Sequence, residues 1–123
     1  MAENPIEAYQ QIEKEALGGR ELEAAVLTKA AVRLRAVQDQ WDSPDRSTLL
    51  DEALKYNQRI WTVFQVELTS PDNPLPPEVK RNLLTLSVFI DRRTFDALAY
   101  PSADKLDVLI NINHNIAAGL RGQ

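Results

Sequence analysis

The stretch Thr48-Leu49-Leu50-Asp51-Glu52-Ala53-Leu54-Lys55-Tyr56-Asn57-Gln58-Arg59-Ile60-Trp61-Thr62-Val63-Phe64-Gln65-Val66-Glu67-Leu68 carries the clearest structural signal in the chain. Its Leu50, Leu54, Asn57, Trp61, Phe64 and Leu68 recur at 4-3-4-3-4 spacing, and Leu49, Ala53, Tyr56, Ile60 and Val63 flank them. At about 100° per residue these positions cover about half of a helix, and nothing in the stretch keeps the period of two that a strand needs. The spacing predicts a helix starting near Thr48, with Asp51 as its capping partner. Asn57 falls near the centre of the apolar stripe. An amide there either bonds to another structural amide or to water, or forms a polar notch in a partner-binding groove.

The neighbouring segments read the same way. Upstream, Ser43-Pro44-Asp45 closes a helix predicted from about Arg20 to Trp41, with Val26, Ala30, Leu34, Val37 and Trp41 as its stripe and Leu22, Leu27 and Ala31 widening the face. Before that, Asn4, Pro5 and Glu7 suit the start of a helix running to Leu17, and Gly18-Gly19 suits its end. Its stripe is Ile6, Tyr9, Ile12 and Ala16. Downstream, Pro71 to Pro77 form a stiff connector, because proline lacks the N–H that a helix interior needs. A helix from about Pro77 to Ala99 follows. It carries one apolar stripe at Val79, Leu83, Leu86, Ile90 and Ala97 and a second at Leu84, Val88, Phe95 and Leu98. Pro101 breaks the chain and Ser102 caps a helix predicted over Ala103 to Leu120, striped by Leu106, Leu109, Asn113, Ile116 and Leu120. The expectation is an all-α fold, a small antiparallel bundle of about five helices, in one domain over residues 1–123. Leu54, Trp61, Leu83, Ile90 and Leu109 sit at stripe centres and are predicted core.

Composition narrows the function classes. With 44% hydrophobic and 26% charged residues, the 123-residue chain is an ordinary globular sequence. Its 14 basic and 18 acidic residues give a net charge of −4, which disfavours a phosphate-driven nucleic-acid binder. The absence of cysteine excludes disulfides and Cys-ligated metals, and one histidine excludes any site needing two from one chain. No apolar run is long enough to cross a bilayer, and the N-terminus, Met-Ala-Glu-Asn-Pro-Ile-Glu, has no apolar signal core. The expected location is therefore the cytoplasm.

Candidate chemistry is sparse. The carboxylate pairs Asp39/Asp42 and Asp104/Asp107 fall at helix ends or on polar faces, where solvation and helix dipoles explain them. His114 stands alone between asparagines and lacks metal-ligand spacing. No phosphate-binding or nucleophile motif occurs. The sequence therefore reads as non-enzymatic, with no cofactor. Asp91 falls within an apolar arc, so it needs a partner: an arginine (Arg59, Arg92 or Arg93), an asparagine, or a group on a binding partner. Phe89 points away from both stripes of its helix, which suggests either a third packing neighbour or a contact surface with Arg92, Arg93 and Tyr100 at its border.

Three stretches together resemble the FlaF family of flagellar biosynthesis regulators from alphaproteobacteria. They are Asn57-Gln58-Arg59-Ile60-Trp61-Thr62-Val63-Phe64, Leu86-Ser87-Val88-Phe89-Ile90-Asp91-Arg92-Arg93-Thr94, and the tail Ile110-Asn111-Ile112-Asn113-His114-Asn115-Ile116-Ala117-Ala118-Gly119-Leu120-Arg121-Gly122. Ala8-Tyr9-Gln10 and the Glu-rich second helix also fit, so the resemblance covers nearly the whole chain. It implies a cytoplasmic, non-enzymatic factor for flagellin production and export. The implied partner is flagellin, bound in a chaperone-like way, alongside the regulator FlbT. The alternative is a regulator acting on flagellin mRNA, directly or with FlbT. The resemblance transfers no catalytic residue.

Overall fold

The structure, a computed structural model, describes the backbone of residues 5–122 and the side chains of residues 19–122. Every regular element among the described residues is helical. There are four α-helices: α1 (Pro5–Asp39), α2 (Arg46–Thr69), α3 (Pro77–Ala99) and α4 (Leu106–Leu120). A single 3-10 turn, Ala103–Lys105, leads into α4.

The all-α expectation holds, and the count of about five does not. The first two predicted helices are one, because Gly18-Gly19 does not end α1. Two interior glycines cost a helix about 1 kcal/mol each relative to alanine. Good helix formers on both sides (Lys14, Glu15, Ala16 and Leu17 before, Glu21, Leu22, Glu23 and Ala24 after) outweigh that cost. The Asn4 cap falls outside the described residues. α2 begins at Arg46 rather than near Thr48, because the turn before it already supplies the first helical carbonyl: Leu49 N–H donates to Asp45 O at 3.0 Å. The turn itself closes when Asp45 N–H donates to Ser43 Oγ at 3.1 Å. The guanidinium of Arg46 then stacks over Trp41, 4.7 Å from its centroid. α3 has the bounds expected of it, Pro77–Ala99.

α1, α2 and α4 enclose the core. α4 lies along α1, α2 packs on α1 and reaches α4 through the side chains of Asn57 and Trp61, and α3 packs mainly on α2 with a marginal contact to α4. Ala24, Leu27, Ala31, Leu34 and Val37 face inward from α1, Leu50, Leu54 and Trp61 from α2, and Leu106, Leu109 and Ala117 from α4. Each fully buried leucine contributes about 1.5–3 kcal/mol of transfer free energy. The α1 stripe is rotated from the expected one, for Leu22 is exposed and Val26 half-buried.

Two asparagines lock this core. Asn57 on α2 and Asn113 on α4 are fully buried. Asn113 Nδ2 donates to Asn57 Oδ1 at 2.7 Å, and Trp61 Nε1 donates to Asn113 Oδ1 at 3.0 Å. These are structural amides bonded to each other, not a notch in a binding groove. Sliding α4 along α2 by one residue would break both bonds inside an apolar medium, where an unmade bond costs about 1–3 kcal/mol. The relay is not closed: Asn57 Nδ2 has no partner.

The connector is built by Asn73. Its Nδ2 donates to Glu67 O at 3.0 Å, which satisfies a carbonyl at the end of α2. Its Oδ1 accepts from Leu75 N–H at 3.0 Å, which starts the run of prolines into α3.

Candidate functional site

α3 is the helix with the least cover, and its two sides differ in chemistry. The side against α2 buries Ser87, Ile90, Thr94 and Ala97. Two of these are hydroxyl residues that the apolar stripe passed over. Each spends its hydroxyl on its own helix: Ser87 Oγ donates to Leu84 O at 2.7 Å and Thr94 Oγ1 to Ile90 O at 2.8 Å. A satisfied hydroxyl buries at little cost. Small side chains here also let α3 approach α2 closely.

About 120° round the helix from that side, at 100° per residue, lie Leu84, Val88 and Phe95. Val88 is 49% exposed and Phe95 61%. Phe95 belongs to the second apolar stripe read from the sequence. It faces solvent because α2 covers one side of α3 and no described element covers the other. Leu83, expected in the core, is only half-buried. It lines an apolar cleft of about 240 Å³ at the end of the bundle, with Phe64 and Leu68 of α2, Leu75 of the connector and Leu120 of α4. Leu54, Trp61, Ile90 and Leu109 are buried as expected.

The four residues singled out as a contact surface take different positions. Phe89 is half-buried, and the guanidinium of Arg93 lies 5.1 Å from its ring centroid. Arg92 is exposed on the side next to Val88 and Phe95. Tyr100, 72% exposed, follows the last turn of α3, with Lys105 Nζ 5.7 Å from its ring. That lysine also donates to Tyr100 O at 2.7 Å and pairs with Asp96 at 3.0 Å, tying the end of α3 to the 3-10 turn. Phe89, Arg93 and Tyr100 thus share one flank of α3, and Arg92 links that flank to the outward apolar side.

The other candidates have structural roles. Asp91 is half-buried and finds its partner in Gln65 on α2, whose Nε2 donates to Asp91 Oδ2 at 3.4 Å. None of the expected arginines or asparagines holds it. Asp107 accepts from Gln38 Nε2 at 2.7 Å, and the same amide donates to Ala103 O at 2.9 Å, fastening the start of α4 to α1. Asp104 accepts from the hydroxyl of Ser102. His114 is exposed. No group of three His, Cys, Asp or Glu side chains that could hold a metal occurs among the described residues. None of the described helices is long and apolar enough to cross a membrane.

Sequence reasoning missed Ser87 and Thr94 as contact residues and assigned Phe95 to the wrong side. The signal was present in part: Ser87, Ile90, Thr94 and Ala97 keep a 3-4-3 spacing once small hydroxyl residues count as buriable.

No curated protein and no solved structure matches the chain. A family model does, and it extends from residue 5 to residue 120, through all four helices, the amide relay and the open side of α3. By that match the chain belongs to the FlaF family, described as flagellar protein FlaF.

Proposed function

We propose that this flagellar protein is a non-enzymatic cytoplasmic factor that promotes flagellin synthesis or export by binding flagellin as a chaperone-like adaptor. The observation that carries this reading is the open side of α3, where Val88 and Phe95 stand in solvent. Isolated exposed apolar residues are ordinary, but Val88 and Phe95 lie along one side of an uncovered helix next to half-buried Leu84, which supports a binding surface there. The terminal segments of flagellin are amphipathic helices that must be kept from polymerising before export, and a helix laid against an apolar face is a standard mode of recognition. Phe95 and Val88 form the centre of the contact, and Arg92, Phe89, Arg93 and Tyr100 border it. Aromatic and arginine side chains supply most of the binding energy at such surfaces.

The test is co-purification with flagellin followed by crosslinking mass spectrometry. Crosslinks from Lys80, the lysine of α3, are expected to dominate. Failure to retain flagellin, or crosslinks confined to Lys29 and Lys55, would refute the reading.

A second reading, contact with flagellin mRNA directly or with FlbT, draws on the cations of the same helix. Phosphate-driven binding falls steeply with salt, whereas apolar docking does not, so affinity measured across a salt series separates the two.

A further inference from the structure

The charges around the open side of α3 are not balanced. The helix holds four basic and three acidic residues, a net positive element in a chain of net charge −4. Of its acids, Asp96 pairs with Lys105, Asp91 accepts from the uncharged amide of Gln65, and Glu78 stands in the first turn. Elsewhere many cations are also engaged. Arg35 pairs with Asp39, Lys55 with Asp51 and Arg121 with Glu21, and Arg33 stacks on Tyr56. Lys80, Arg81 and Arg92 have no ion-pair, hydrogen-bond or ring partner for their side chains among the described residues. At about 100° per residue, these three fall within the same arc of about 120° as Leu84, Val88 and Phe95. Lys80 lies on one edge and Arg81 and Arg92 on the other. From Lys80 to Phe95 the row runs about 22 Å at 1.5 Å per residue, about four helical turns.

We infer that the open side of α3 docks an amphipathic helix whose polar flanks are acidic. The apolar row takes the seam of the incoming helix, and the free ammonium and guanidinium groups take carboxylates on either side of it. This deepens the flagellin-binding reading and rests on it, since it specifies the charge of the segment that α3 accepts. Charge complementarity of this kind selects partners and raises association rates more than it adds affinity.

The test uses the full chain and two synthetic helical peptides of about 18 residues, matched to the length of the row. Both carry the same leucine seam; one has glutamates on its flanks and the other lysines. In fluorescence anisotropy at low salt, the glutamate peptide should bind at least tenfold tighter, and the gap should close in high salt. The double variant Arg81→Glu with Arg92→Glu alters two exposed side chains and should reverse the preference. Equal binding of the two peptides, no binding of the glutamate peptide, or an unchanged preference in the double variant overturns the inference. So does a single-stranded RNA that displaces the glutamate peptide, since it would make the face a polyanion site. Flagellin capture separates this failure from failure of the parent reading. If capture survives the double variant but is lost in Phe95→Asp, the apolar contact stands and the charge rule falls. If capture survives both, α3 is not the flagellin surface.

Discussion

Helices α4 and α3 use similar residues to opposite ends. Both are striped helices with polar breaks in the buried stripe. In α4 the break is Asn113, and a second buried amide and an indole N–H meet it, so it fixes register. In α3 the breaks are Ser87 and Thr94, which bond to their own backbone and ask nothing of a neighbour. α4 is bound on several sides by specific pairings, whereas α3 is held on one side by small residues and left open on the other. The number of neighbours, not the apolar content of a helix, decides which apolar side chains become core.

Four measurements bear on that contrast. The largest effect is expected at Trp61, which is 1% exposed and touches Phe64 edge-on at 5.6 Å. Trp61→Ala should cost about 3–5 kcal/mol in chemical denaturation. A loss below about 1 kcal/mol would place the tryptophan outside the energetic core. Next is Asn113→Ala, which strands Trp61 Nε1 and Asn57 Oδ1 and should cost about 1–3 kcal/mol for each group left unpaired. If Asn57→Leu combined with Asn113→Leu costs less than Asn113→Ala alone, the amides serve register more than stability. On α3, Ser87→Leu forces a large side chain into the close approach to α2 and should cost about 1–3 kcal/mol by overpacking. A neutral result would mean that α3 is loosely seated. The smallest change in stability belongs to Phe95→Ala, within about 0.5 kcal/mol, because the ring has little contact to lose. The same variant should weaken flagellin capture at least tenfold, and both quantities must be read on one preparation, since unfolding alone would also lower affinity.

What the sequence made legible follows the same division. Proline punctuation placed both ends of α3, and the long stripe of α2 placed its core residues apart from its first turn. These are local signals. Gly18-Gly19 misled because a helix end is a contest between two glycines and the helix formers around them, and the glycine rule weighs one side only. Asn57 and Asn113 were visible as stripe centres, but their bonding to each other depends on how α2 meets α4. The candidate surface was legible only as an excess of apolar positions on α3. Whether Phe89 or Phe95 stood in solvent depended on which side α2 covered, and no local pattern encodes that. The ion-pair status of Arg81 and Arg92 was equally hidden, because it depends on which acids the fold brings near.

The pairing of α1 with α4 has a consequence for the order of assembly. These two helices form the most extensive contact in the bundle, yet α2 and α3 lie between them along the chain. While the ribosome is still making α3, Leu27 and Leu34 of α1 and Asn57 and Trp61 of α2 have no α4 to cover them. Only late in translation, when Leu106 to Leu120 emerge, can the amide relay form. Helical bundles usually fold fast because their contacts are local; this one must wait for a long-range closure, and its nascent chain exposes apolar surface until then.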